Sequence, residues 1–277
     1  MKRSSEYRED VITHQIFKGV YKGVFMKKKL SVALLVLSSF ANSTTWGELE
    51  VDDPIVKGAK CAVAEPASYG GYIYSWPSKY DQVFWPHTDR NGIWFCETSG
   101  FIALIGDFDE LKPAEIERIT EFLASQHISK PTLEQKLALL EQTYALREKD
   151  EFFKNKLLRI LARWQQSLGN LNKANSYRAR AFQEIQHALN GDLDGYKRLE
   201  YLYLATNYSK QFAEQNKTVN YWADLETALK SVTDPELKGY AGYLSELIKD
   251  STYINEGGKL DPVLPKQYEY RITRLII

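Results

Sequence analysis

The sequence predicts a mainly α protein: a small β-rich N-terminal domain followed by an array of α-helical hairpins. Three observations lead there. Residues 113–250 carry apolar side chains at helical spacing, broken by short turn signals. Residues 44–112 are instead rich in Gly, Pro and aromatics, with short β-prone runs. The two cysteines, Cys61 and Cys96, both fall in that first region.

The N-terminus reads as a targeting segment. Met26-Lys27-Lys28-Lys29 is a compact basic run, and Leu30–Phe40 is an 11-residue apolar stretch. Ala41-Asn42-Ser43 then places small residues at the −3 and −1 positions of a cleavage site before Thr44. Those are the three parts of a secretory signal in order. The apolar stretch is shorter than the roughly 18–20 residues a membrane helix needs, so no transmembrane span is expected. Residues 1–25 are polar and mixed in charge, and they are read as a start-site extension ahead of a signal peptide at 26–43. The expected location is periplasmic or secreted. Residues 1–43 hold 8 of the 36 basic and 3 of the 36 acidic residues, so the mature chain would carry a net charge of −5. A mildly acidic chain without a basic face has no general attraction for phosphate backbones, so no nucleic-acid partner is expected.

Within residues 44–112, Tyr72-Ile73-Tyr74, Val83-Phe84-Trp85 and Ile93-Trp94-Phe95 are strand candidates. Asn91-Gly92, in the turn-like stretch Asp89–Gly92, predicts a hairpin joining the last two. Pro66, Pro77 and Pro86 keep these elements short.

The helices are clearer. Pro113 suits a first helical position, and Ile116, Ile119, Phe122 and Leu123 form one stripe. Thr132 and Gln135 make a capping-box pattern ahead of Leu133, Leu137, Leu140 and Tyr144. Leu157, Ile160, Leu161, Trp164 and Leu168 repeat at helical spacing until Gly169. The next helix runs to about Leu189 and ends at Asn190-Gly191. Asp234-Pro235 starts a last helix carrying Leu237, Ala241, Leu244 and Ile248. Residues 251–277 form a tail, loop-like to 267, with Tyr268–Ile277 as a terminal strand candidate.

Export makes a Cys61–Cys96 disulfide the natural reading of an even cysteine count, with two buried free thiols as the alternative. A bridge would close a loop of about 36 residues and contribute roughly 3–4 kcal/mol in the chain-entropy model. Two cysteines without further Cys or His partners give no adequate zinc site, and no metal or cofactor is expected.

Two motifs carry a resemblance. Leu158, Leu161, Ala162, Gly169, Leu171, Ala174, Tyr177 and Ala181 resemble a tetratricopeptide repeat, with Leu199–Leu229 of the right length for a divergent neighbour. Cys61-Ala62-Val63-Ala64 and Cys96-Glu97-Thr98-Ser99-Gly100-Phe101 resemble two degenerate zinc knuckles, with Ala64 and Ser99 where second cysteines would stand. Together, over residues 57–190, they resemble an uncharacterised bacterial family that joins a zinc-ribbon-like domain to tetratricopeptide-like helices. The resemblance implies that paired knuckles face one another, which would bring Cys61 and Cys96 near bonding distance. Here a disulfide would replace the metal as the clamp.

The densest polar and aromatic stretch, Trp76–Trp94, includes Tyr80, Asp81, Trp85, His87, Asp89 and Arg90. Such residues can stack on sugar rings or anchor a partner, or they can form the core of a small domain short of aliphatics. The candidate binding residues are Trp76, Tyr80, Trp85, His87, Asp89, Trp94 and Trp164. His87 near Asp89 has the composition of a base and its orienting carboxylate, but no activated nucleophile accompanies it, and no catalytic residue is assigned. Asp107, Asp109 and Glu110 could bind a cation or form a charge cluster before a helix. No phosphate loop, dinucleotide fingerprint, zinc-protease or nucleophile-elbow motif is present, which removes the usual grounds for proposing an enzyme. The expectation is an exported protein-interaction or scaffold protein that binds a protein or peptide on a helical-repeat surface. The alternative is a cell-envelope carbohydrate binder or hydrolase using the Trp76–Trp94 segment.

Overall fold

A computed structural model describes residues 45–67, 77–109, 111–126, 129–212, 220–254 and 260. The expected signal segment, Tyr72–Tyr74, Trp76, Glu110 and Tyr268–Ile277 lie outside the described residues. The chain is mainly helical, with a small strand-rich region ahead of the helices.

Strands β1 (Trp46–Asp52) and β2 (Lys60–Pro66) pair antiparallel, with Leu49 opposite Val63 and Val51 opposite Cys61. One face carries Leu49, Val51, Cys61 and Val63 toward the core, and Glu48, Glu50 and Asp52 are exposed on the other. That alternation is the period-2 pattern of a half-buried ribbon. The turn between the strands is held by Asp53, whose Oδ1 accepts hydrogen bonds from the backbone N–H groups of Ile55 and Val56.

A one-turn helix, α1 (Ser78–Asp81), follows, and Gln82 closes it in the left-handed region at φ 49°. The hairpin expected at Asn91-Gly92 does not form. Arg90–Gly92 is a short 3₁₀ turn capped by Asp89, whose carboxylate accepts from Asn91 N–H at 2.9 Å. Gly92 serves close approach rather than a hairpin bend: a Cβ there would lie 2.1 Å from the Pro86 carbonyl oxygen. Val83-Phe84-Trp85 is accordingly not a strand. Ile93–Phe95 is one, β3, and it pairs antiparallel with β4 (Ile102–Leu104). The turn between them contains Cys96 and Gly100, the latter at φ +78°, a backbone conformation that favours glycine.

The expected helices are present as α2 (Pro113–Ala124), α3 (Leu133–Ala145), α4 (Glu151–Ser167), α5 (Leu171–Leu189) and α8 (Pro235–Leu247). Thr132 and Gln135 form the anticipated capping box on α3. Asp150 caps α4 through Phe153 N–H at 2.7 Å, and Gly169 ends it at φ +84°. Two further helices, α6 (Gly195–Gln211) and α7 (Tyr221–Ser231), fill the interval between α5 and α8. Helix α6 has no apolar stripe because it is enclosed on nearly every side: Leu199, Tyr201, Leu202, Tyr203, Leu204, Ala205 and Tyr208 are all buried. A helix surrounded by neighbours loses the amphipathic signal of a surface helix. The first turns of the expected tail instead form a 3₁₀ helix, Ile248–Tyr253. Among the described residues, no helix is long and apolar enough to cross a membrane.

Successive helices pack against one another: α3 on α4, α4 on α5, α5 on α6, and α6 on both α7 and α8. Strand β4 packs on α3, and α1 packs on α4 and α6. Asp107 ties the strand-rich region to the end of α3. Its carboxylate accepts from Tyr144 Oη at 2.6 Å and pairs with both Arg147 and Lys149. Two cations on one carboxylate are an internal ion cluster, and neither reading of the acidic run anticipated that use.

Two glycines give opposite expectations. Gly92→Ala forces a methyl group onto the Pro86 carbonyl and should destabilise the protein by more than about 2 kcal/mol in thermal unfolding. Gly242 is exposed in mid-α8 with nothing within 4 Å of a built Cβ. Gly242→Ala should therefore stabilise by about 0.5–1 kcal/mol.

Candidate functional site

Two of the polar residues singled out in the sequence, Tyr80 and Asp81, lie in a buried ionic cluster where α1 packs on α4 and α6. Tyr80 and Asp81 are both 0% exposed. Tyr80 Oη donates to the Asp250 carbonyl at 2.7 Å, and the Tyr80 carbonyl accepts from Asn207 Nδ2. The Asp81 carboxylate receives a two-pronged interaction from Arg178 of α5, with Nε at 3.0 Å and Nη2 at 2.7 Å. Tyr208 Oη of α6 donates to the same carboxylate at 2.7 Å. Arg159 of α4 donates from Nη1 to the Asp81 carbonyl at 2.8 Å and pairs with Glu200 of α6 at 2.8 Å. At the rim, Arg163 donates to Ser78 Oγ, and Tyr240 of α8 donates to Gln82 Oε1.

Two guanidiniums and two carboxylates thus balance in a space closed to solvent. Burial works against the charge on Arg178, but Asp81 and Tyr208 together outweigh it, leaving the guanidinium pKa raised. Burial likewise opposes Arg159, and Glu200 with Tyr208 and Tyr201 together more than compensates. Burial, with the Asp81 charge beside it, holds the Tyr208 phenol well above its usual range. Arg178 and Arg159 therefore remain cations and Tyr208 a donor throughout the physiological range. Asp81, Arg159, Arg178 and Tyr208 are all 0% exposed, so among the described residues the cluster ties the helices to α1.

Of the described candidate tryptophans, Trp164 bridges the junction, and Trp85 and Trp94 pack within the strand-rich region. Trp164, on α4, is 7% exposed and donates from Nε1 to the His87 carbonyl at 2.9 Å. Trp94 donates from Nε1 to the Ala64 carbonyl at 2.8 Å and meets Phe108 edge-on at 5.6 Å. Trp85 is half-buried and lies 6.0 Å from the ring of Trp46. Trp46 in turn donates to Asp89 at 3.2 Å. Asp89 uses its other oxygen to cap Asn91, so it does not serve as an orienting carboxylate for His87. Burial, reinforced by the Lys156 cation, pushes the half-buried His87 imidazole down to about 3. A base that weak is not poised for proton abstraction near neutrality.

Cys61 and Cys96 are joined by a disulfide with Cα atoms 4.9 Å apart, and both are buried. Asp53 lies beside them with Oδ2 3.2 Å from Cys96 Sγ. Asp53, Cys61 and Cys96 are a potential ligand group among the described residues, but bonded sulfurs offer no thiolate and three atoms do not complete a tetrahedron. Two open recesses lie among the described residues. One beside the Cys96–Phe101 turn, bordered by Glu97, Ser99, Gly100 and Leu123, has about 110 Å³. That is below the roughly 300–1,000 Å³ of small-molecule sites. A shallower one at the start of α5, bordered by Glu134, Asn170 and Lys173, has about 450 Å³.

Asp81 was visible in the sequence only as part of the polar stretch, while Arg159, Arg178 and Glu200 escaped notice. A signal existed: Arg159 interrupts the apolar face of α4, and Arg178 lies four residues from Ala174 and three from Ala181 on the buried face of α5. A charge placed on an apolar face implies a buried partner.

Two outcomes are expected. An Ellman assay on unreduced, unfolded protein should find no free thiol, and two thiols would contradict the bridge. For His87, the folded pKa of about 3 lies below the ordinary 6.5, so between those values the unfolded chain alone binds the proton. Its contribution is fully present above about pH 6.5 and is lost toward pH 3, with a slope of up to about 1.4 kcal/mol per pH unit. Denaturant melts across that window should show a shallower pH dependence in His87→Gln, and an unchanged slope would contradict the assignment.

No family model, curated protein or solved structure matches this chain, so its functional reading rests on its own residues.

Proposed function

We propose that the chain is an exported protein-interaction or scaffold protein whose helices, as divergent tetratricopeptide-like hairpins, grip polypeptide segments in their groove. One observation carries this reading: α4, α5, α6 and α8 already hold a short segment, Ser78–Gln82, through Ser78, Tyr80, Asp81 and Gln82. They contact Ser78 Oγ, the Tyr80 and Asp81 carbonyls, the Asp81 carboxylate and Gln82. That is how a groove recognises a short peptide segment, here a single helical turn, with backbone contacts for grip and buried side chains for selection. Here the occupant belongs to the same chain, so the array serves as a mount. It holds the strand-rich module firmly and leaves the module's outer surface for partners.

Three features support export: the signal-like segment from Met26, the predicted cleavage after Ser43, and a buried disulfide of the kind that persists in oxidising compartments. The tetratricopeptide resemblance and the degenerate-knuckle resemblance belong to the same reading. The carbohydrate reading draws less support, since Trp94 and Trp164 donate their indole N–H groups to internal carbonyls. A sugar platform needs aromatic faces open to solvent.

Crosslinking in live cells, followed by identification of what co-purifies, tests the proposal. Defined protein partners outside the cytoplasm are the expected result, and recovery of envelope polysaccharide alone would overturn it. N-terminal sequencing of the mature protein should begin at Thr44, and a start upstream of Met26 would contradict the export reading.

A further inference from the structure

The ribbon that the array holds out has an open edge. Strand β1 pairs only with β2 among the described residues. Two bonds fix which backbone groups face inward: Ala67 N–H donates to the Thr45 carbonyl, and Asp53 N–H donates to the Ala59 carbonyl. In an antiparallel ladder, hydrogen-bonded and non-hydrogen-bonded pairs alternate. With the observed register, Gly47, Leu49 and Val51 direct their backbone groups to β2. Glu48, Glu50 and Asp52 therefore direct their N–H and C=O groups away from the sheet.

The same three residues place exposed carboxylates on the solvent face. On the other face, Leu49 and Val51 are only half-buried, so apolar surface continues to the edge. The edge is anchored from behind. The Cys61–Cys96 disulfide and the Trp94 bond to Ala64 fasten β2 to the protein.

An unpaired strand is a template for another strand, and its side chains decide which. A second copy of β1 is excluded by like charge, because Glu48, Glu50 and Asp52 would face one another across the new pairing. A strand with lysine or arginine on one face and apolar residues on the other satisfies both faces at once. We propose that β1 takes up an extended basic–apolar alternating segment of a partner protein as a third strand. This inference rests on the interaction-protein reading above and locates its contact surface.

The test uses the full chain and a fluorescent peptide of alternating lysine and valine, titrated by anisotropy. Saturable binding that weakens at least tenfold between low and high salt is expected. The Glu50→Pro variant removes the outward N–H at position 50 without touching the ladder to β2, and Glu48→Lys with Glu50→Lys reverses the charge. Each should weaken binding at least tenfold while the far-ultraviolet circular dichroism stays unchanged. A peptide of the same composition with its lysines blocked together should bind at least tenfold more weakly. Absence of peptide binding, or equal binding by the Glu50→Pro protein, would overturn the inference. So would a dimer in sedimentation that the charge reversal abolishes. Partners crosslinked in cells through other surfaces would sink the β1 site while leaving the interaction-protein reading standing.

Discussion

The architecture turns on one buried interaction, the clasp of Asp81 by Arg178 and Tyr208, with Arg159 and Glu200 alongside. Arginine taken out of water is costly unless a carboxylate meets it with good geometry. Arg178 comes from α5, Arg159 from α4, and Glu200 and Tyr208 from α6. Their arrangement leaves Arg178 short of a carboxylate until Asp81 arrives from the N-terminal region. The helices therefore carry an electrostatic requirement that only α1 satisfies. The strand-rich region and the helices thereby share one buried core, although their compositions differ.

The remaining junction contacts follow from that docking. Once Ser78–Gln82 is seated, Trp164 can reach the His87 carbonyl and Tyr80 the Asp250 carbonyl. The loop on the other side is closed by the Cys61–Cys96 bridge, which limits how far β1 and β2 can stray from β3. A two-stranded ribbon is marginal alone, so the β1–β2 hairpin depends on this staple and on Trp94. The functional reading grows from the same economy. The groove is occupied from within, and what it holds is displayed outward.

The sequence disclosed those elements whose neighbours lie on one side. Helices α4 and α5 have apolar stripes and a glycine between them, and their C-terminal ends were readable to within a residue or two, whereas the start of α4 at Glu151 lies ahead of its first striped residue, Leu157. Helix α6 was not readable, because burial on nearly all sides erases periodicity. Asn91-Gly92 misled for a related reason: the glycine answers to the Pro86 carbonyl behind it, a long-range demand that a dipeptide rule does not contain. The disulfide was legible from the cysteine count together with the signal-like segment at Met26. The sequence sets the candidate aromatic residues side by side, but it could not separate exposed from internal use. Trp164 and Tyr80 are inside because their polar atoms meet backbone carbonyls supplied by distant segments.

Hydrogen exchange on the Asp81→Ala protein tests the central claim most directly. Removing one partner of a buried ion pair typically costs about 3–5 kcal/mol. The account predicts that protection falls by a comparable amount in α4, α5 and α6 and in β3 and β4 together, since the clasp joins them into one unit. Loss of protection confined to residues 77–83, with α4 to α6 as protected as in the parent, would contradict it.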